Sequence, residues 1–303
     1  MNAGFDYREQ VGPQASGRTV IDHLAARHRH STIDTWRRRI DAGEVLVGGE
    51  RATATDILRP GAWLLWRRPP WEEPPVPLVF AVLYRDGDLL AVAKPRGLPS
   101  VPSGGFLEHT LLHVVRRHHP EATPMHRLGR GTSGLVLFAL TPAARRIVSS
   151  AWRDGTVAKT YRALISGVPD RPAFTVDAPI GRIDHPRLGR IWAAAPPSDG
   201  RGAEKQSLSH VRVLEARDSA ALVEVTIPTG RPHQIRIHMA VAGHPLVGDP
   251  VYAAGGALRA DAGLPGDPGY RLHAHRLSLA HPVTGARMDL ECAPPRILRT
   301  PDE

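Results

Sequence analysis

The chain has 303 residues, 42% of them hydrophobic and 23% charged, with one cysteine and a formal net charge of +9. That length suits about two domains, and the hydrophobic content excludes an intrinsically disordered chain. The lone Cys292 excludes an intrachain disulfide and leaves no second thiol for a structural metal site, while the lack of a run of about 18 apolar residues or a secretion-type N-terminus predicts a soluble, cytoplasmic protein. The positive balance favours a polyanion as partner, nucleic acid first. Genome base composition can also enrich arginine, however, and only Lys94, Lys159 and Lys205 are lysines.

Residues 1–15 are polar without periodicity and read as a flexible tail. Val20, Ile21, Leu24 and Ala25 recur at helical spacing, and a second helix is predicted from Ser31, as N-cap, through Trp36 to Ile40. DAGEVLVGGERAT and LRPGAWLLW supply short strands around a Gly-Gly turn, and the proline-rich stretch that follows reads as a linker. The predicted division is a tail over 1–15, a small α/β module over 16–70, a linker over 71–79 and a main domain over 80–299. Within the module, Arg37, Arg38 and Arg39 give the second helix a basic face, which makes them candidate RNA contacts.

From residue 78 strand-like runs such as LVFAVLYRDGDLLAVAK, SGLVLFAL, KTYRALISG and ALVEVTIPTG alternate with Gly, Pro and Asp. They predict an α+β domain with a large, mostly antiparallel sheet, flanking helices and a central cleft. Helices are expected in LEHTLLHVVRRHH, TPAARRIVSSAWRDG and HQIRIHMAVAG, and no internal repeat is seen.

Four blocks carry the chemistry. In LLAVAKPRGLPSVPSGG a strand delivers Lys94 to a glycine-containing turn that a phosphate backbone can approach. In MHRLGRGTSGLVLFA, His126, Arg127, Arg130, Thr132 and Ser133 line a basic loop at a strand end, where catalytic groups are often held. In KTYRALISG, Lys159 and Tyr161 are two apart and so share a strand face. In TGRPHQIRIHMAVAGHPLVGDPVY, His233, Gln234 and Arg236 precede or open a helix. His233, His238 and His244 lack the Glu or Cys partners of a zinc pattern, so no metal is expected.

The order of these blocks, closed by YRLHAHRLSLAHPVTG, resembles the RluA family of RNA pseudouridine synthases over about residues 80–290. The N-terminal helix pair resembles the RNA-binding module of the ribosomal small-subunit protein four type. The family resemblance implies isomerisation of uridine to pseudouridine in ribosomal or transfer RNA, without metal or nucleotide cofactor, by an enzyme expected to be monomeric. It places Tyr161 against the target uridine as a candidate general base, and Arg236 beside the family's catalytic aspartate. Family members read H-R-L-D-x-x-T-S-G where this chain has Gly129. Glycine has no side chain to act as nucleophile or base, so the resemblance leaves two functions open: a synthase that turns over without that aspartate, or a non-catalytic RNA-binding protein or ribosome-associated factor that keeps the fold. It also predicts that Arg236 lacks its usual counter-ion and needs another, with Asp154, Asp184 and Asp249 as candidate carboxylates. A carboxylate within hydrogen-bond reach of Arg236 is expected to restore catalysis.

Overall fold

In a computed structural model, residues 1–28, 31–195 and 204–303 are described. They form two units, Met1–Glu73 and Pro74–Glu303.

In the first unit, β1 (Phe5–Gln10), α1 (Val20–Arg27), α2 (Ile33–Asp41), β2 (Val45–Val47), β3 (Glu50–Arg51) and β4 (Trp63–Arg68) form two helices and a four-stranded sheet in the order β1-β4-β2-β3. Hydroxyl oxygens of Thr19 and Thr32 accept the backbone N–H of Asp22 and Thr35, starting each helix with a polar N-cap. Thr32 therefore takes the capping place predicted for Ser31, whose hydroxyl instead accepts from Arg39 at 3.0 Å. Trp36, Val20, Leu24, Ile40 and Val45 build the core.

The predicted tail is also corrected. Phe5–Gln10 pairs with Trp63–Arg68 along its whole length, and Tyr7 stacks on Trp66 at 5.0 Å. The alternation of Phe5 and Tyr7 was a two-residue strand signal within an otherwise charged segment, and the pairing covers what would be an open edge of β4. Likewise, part of the predicted linker is packed: Val76 lies on a hydrophobic cluster of the second unit, beside Phe80 from the start of the predicted main domain.

The second unit is built from β5 (Ala81–Arg85), β6 (Leu89–Lys94), α3 (Leu111–Arg116), β7 (Thr123–Pro124), β8 (Ser133–Ala139), α4 (Pro142–Arg153), β9 (Ala158–Ser166), β10 (Ala173–Asp177), β11 (Ile180–His185), β12 (Gly189–Ala194), β13 (Leu208–Arg217), β14 (Ala220–Thr226), α5 (Gln234–Val241), β15 (Leu272–Ala280) and β16 (Arg287–Glu291). Ten of these strands form one sheet. Its main path runs β10-β13-β14-β9-β15-β8-β6-β5, with β16 paired to β15 and β7 to β8, while β11 and β12 form a separate hairpin.

Among the described residues all pairings of these strands are antiparallel except β8 with β15. At that junction Gly134 has φ +114°, and a Cβ there would lie 2.2 Å from the carbonyl oxygen of Ala274. Only glycine permits this approach, which sets the height at which the loop before β8 meets β15.

Both faces of the sheet are covered, which explains the unbroken apolar run of β6. Leu90 and Val92 pack with Leu111 and Val115 of α3 on one face, and Leu89 and Ala91 pack with Ala144 and Val148 of α4 on the other. Helix α5 is enclosed: Ile235 and Met239 join a cluster with β9 and β14, and Ile237 and Ala240 pack on Val251 and Tyr252. The fold is thus α+β with a mostly antiparallel sheet, as predicted.

Candidate active site

Two loops come together at the junction of β8 and β15. The segment after β6 is held from within: Lys94 is 1% exposed, and its ammonium donates to the carbonyls of Pro95 and Leu98 at 2.9 and 2.7 Å. Burial lowers the amine to a pKa of about 7. This anchored turn then grips the second loop. Ser100 Oγ accepts the N–H of Leu128 at 3.0 Å and donates to the Leu128 carbonyl at 2.9 Å, while Gly97 N–H donates to the Arg130 carbonyl at 2.8 Å. A tight turn closes from Thr132 N–H to the Gly129 carbonyl at 3.0 Å.

The loop borders a cavity of about 100 Å³ walled by Arg127, Gly129, Thr132, Tyr161, Arg231, His233, Gln234, Arg236 and Tyr270, with Leu128, Ile227, Ile235 and Leu272 as apolar lining. Three arginines and no carboxylate line it among the described residues. Of the residues predicted for the site, Gly129, Tyr161, Arg236, Arg127, Thr132, His233 and Gln234 meet here.

The others do not. Lys94 faces inward, which corrects its placement on an open RNA-facing surface. His126 stacks on Trp152 at 4.9 Å and accepts the N–H of Leu137 at 3.1 Å; burial, and next the charge of Lys159, lower its pKa to about 4. Arg130 pairs with Asp267 at 3.0 Å and lies over Phe106. Ser133 Oγ bonds to His273 Nδ1 at 2.9 Å, and Lys159 reaches the Pro228 carbonyl at 3.5 Å. In the N-terminal unit Arg37 and Arg38 are exposed, whereas the Arg39 guanidinium sits 4.6 and 4.3 Å from the rings of Trp36 and Trp66 and serves packing as well as charge.

Arg236 has a counter-ion. Its Nε and Nη2 donate to Asp249 Oδ2 and Oδ1 at 2.7 and 2.8 Å, and Nη1 donates to the Pro265 carbonyl at 2.7 Å. Burial lowers the affinity of this guanidinium for its proton, but the hydrogen bond and charge of Asp249 outweigh burial and raise its pKa. Asp249 Oδ1 also accepts the N–H groups of Val251 and Tyr252 at 2.9 and 3.0 Å. The carboxylate is 0% exposed, absent from the cavity wall and fully occupied. It is thus a carboxylate within hydrogen-bond reach of Arg236, but it is built into the turn after α5 and does not line the cavity.

Tyr270, not singled out from the sequence, occupies the place beside Gly129. It is 2% exposed, and its hydroxyl lies 3.2 Å from Thr132 Oγ1. A Cβ on residue 129 would be 2.7 Å from that hydroxyl oxygen, and one on residue 131 would be 2.9 Å from two carbons of the ring and 3.1 Å from the Pro268 Cα. The Arg236 guanidinium lies 4.2 Å from the Tyr270 ring centre and 5.0 Å from that of Tyr252. Only its position just ahead of β15, in the closing segment, could have flagged Tyr270.

The remaining groups are held in defined protonation states. Tyr161 packs against the core at the cavity wall, and burial raises its pKa to about 12, so its phenol keeps its proton at neutral pH. His233 stands at φ +58°, and its Nδ1 meets the Tyr252 hydroxyl at 2.8 Å. That hydroxyl donates to the Trp192 carbonyl, so Nδ1 carries the proton. Burial and then Arg236 lower the pKa of His233 to about 3, so the ring is neutral. Gln234 is used in full by Thr229, Arg231, Leu208 and Ser209, and holds the start of α5.

Comparison with known proteins agrees with this architecture. Residues 88–241 match the family described as RNA pseudouridylate synthase. A protein of Synechocystis sp. described as an uncharacterized RNA pseudouridine synthase is 39% identical over 93% of this chain and 96% of its own length. RNA pseudouridine synthase 5 of Oryza sativa subsp. japonica is 34% identical over 100% and 90%, and ribosomal large subunit pseudouridine synthase D of Pseudomonas aeruginosa is 33% identical over 92% and 89%. Among solved structures, human RNA pseudouridylate synthase domain containing 1 superposes with a TM-score of 0.58 at 26% identity, covering 75% of this chain and 89% of that one. With its ordered motifs converging on one cavity and its relatives matched along nearly their whole length, the chain belongs to the RluA-type family of RNA pseudouridine synthases.

Proposed function

We propose that this chain isomerises uridine to pseudouridine in ribosomal or transfer RNA of the cytoplasm, without a metal or nucleotide cofactor. The observation that carries this reading is the cavity itself, in which Arg127, Thr132, Tyr161 and Arg236 converge at the junction of β8 and β15. A flipped uracil fits such a pocket because its face can stack on an aromatic ring and its polar edge can meet fixed donors. Arg127 and Arg231 supply charge for flanking phosphates. The N-terminal unit, with Arg37 and Arg38 on an exposed helix face, adds a second RNA-binding surface of the ribosomal protein type.

The absence of a carboxylate from the cavity wall favours a second reading, an RNA-binding protein without turnover. Incubation of the purified chain with unmodified ribosomal and transfer RNA, followed by chemical mapping of pseudouridine, separates the two. Pseudouridine at defined positions supports the synthase. Salt-dependent binding with no product in total RNA supports the second reading.

A further inference from the structure

We propose that the Tyr270 hydroxyl is the nucleophile of this enzyme, standing in for the carboxylate that Gly129 cannot supply. The inference rests on the synthase reading and adds the group that performs it. The Tyr270 oxygen is 2.7 Å from where a Cβ of residue 129 would stand, comparable to the separation between an aspartate's Cβ and its own carboxylate oxygens two bonds away. The two glycines and the tyrosine form one arrangement, because a side chain at 129 or 131 would collide with the phenol. The hydroxyl has Thr132 Oγ1 as its polar neighbour at 3.2 Å, and the ring borders the cavity with the Arg236 cation 4.2 Å from its centre. Tyrosine serves as a covalent catalyst in glycosidases that use it, and here its ring also lies against the ion-paired Arg236.

The reaction closes without a co-reactant. The oxygen of Tyr270 bonds to ribose C1′ as the C1′–N1 bond breaks, and the phenol proton passes to N1 of the departing uracil. The uracil turns. Its C5 then bonds to C1′ as the bond from C1′ to the tyrosine oxygen breaks, and the C5 proton returns to the phenolate. Two inversions at C1′ retain the β configuration, and enzyme and proton count are restored.

The groups that can influence this phenol include Arg236 of α5 with its partner Asp249, Tyr252 of the turn after α5, Thr132 and Arg127 of the loop, Tyr161 of β9, Arg231 and the neutral His233. The experiment uses the full chain and an RNA that the wild type modifies. Tyr270→Phe keeps the ring and removes the oxygen; the expected result is a loss of kcat on the order of 1000-fold, with RNA affinity and melting temperature near wild type. As an isosteric second variant, Tyr270 is replaced by a ring-fluorinated tyrosine with a more acidic phenol. The falling alkaline limb of its pH–rate profile is expected to move to lower pH, because the step needs the phenol with its proton; a purely structural role would not produce this. Tyr270→Phe turning over within about threefold of wild type, or an unmoved pH limb in the fluorinated enzyme, overturns the proposal while leaving the synthase reading intact. Failure of the wild type to form pseudouridine in any RNA overturns both.

Discussion

Restoring the family's aspartate by the single change Gly129→Asp is expected to damage this protein rather than improve it. The new Cβ would stand 2.7 Å from the Tyr270 hydroxyl, inside contact distance, and the phenol is buried with its hydroxyl against Thr132. Overpacking of a core costs about 1–3 kcal/mol, and a buried carboxylate that fails to reach good partners adds about 1–3 kcal/mol. Arg236 can offset little of this, since Asp249 already takes its Nε and Nη2. A net loss of about 2–6 kcal/mol, or roughly 4–24 °C in melting temperature for a domain of this size, follows. Tyr270→Ala alone leaves a cavity and is expected to cost about 3–5 kcal/mol. In the double variant the aspartate enters the vacated space, so the loss should fall short of the sum of the two by more than 1 kcal/mol. Denaturant unfolding of the four proteins measures the coupling. Additivity within about 0.5 kcal/mol would show that residue 129 and Tyr270 do not compete for one site.

Other predictions test the frame around the cavity. Asp249→Asn leaves the buried Arg236 charge without its partner and is expected to destabilise the chain by about 3–5 kcal/mol in denaturant unfolding; a loss below 1 kcal/mol would mean that the pair is not the anchor of the turn after α5. Ser100→Ala removes both bonds to Leu128 and should cost about 1–3 kcal/mol while lowering turnover more than RNA affinity, as seen from kcat against Kd. His126, His233 and His273 have pKa values lowered to about 4, 3 and 4, each mainly by burial. Since the unfolded chain takes up these protons near pH 6.5 and the folded chain does not, their contribution is full above pH 6.5 and is lost as pH falls toward 4, at up to about 1.4 kcal/mol per unit per histidine. Stability that stays flat from pH 6.5 to 4, or a slope unchanged by His273→Gln, would contradict this. Finally, Arg37→Ala with Arg38→Ala should reduce the slope of log K against log salt for RNA by about 1 to 2, whereas an unchanged slope would place RNA elsewhere on the chain.

What could be read from the sequence divides along physical lines. Helices α3, α4 and α5 and the strand-rich class came from periodicity, which records burial on one face or both. The strand Phe5–Gln10 was missed because its only apolar residues, Phe5 and Tyr7, are themselves exposed, and its half-buried positions carry the charged Asp6 and Glu9, so no apolar alternation marks a buried face. Which strands are neighbours was not legible: the parallel meeting of β8 and β15 joins residues about 140 apart in sequence, at a glycine whose need is set by the carbonyl of Ala274.

The site was legible only where one motif carried its own partners. Arg236 could be named, and Asp249 could be listed among the carboxylates, but their bidentate pairing depends on how the turn after α5 folds back. Lys94 and His126 read as RNA contacts because charge and loop position are visible in sequence, whereas the direction in which a side chain points is not. Gly129 is the sharper case. Within its own motif it is a deletion of function, a side chain withheld. In the fold it is half of an exchange, because the space that glycine frees holds a hydroxyl from a segment 141 residues later in the chain. A reaction needs an oxygen at a point in space and not at a point in the sequence, so loss of a motif residue does not by itself establish loss of chemistry. The vacated position has to be searched for whatever the rest of the fold brings there, and here it brings Tyr270.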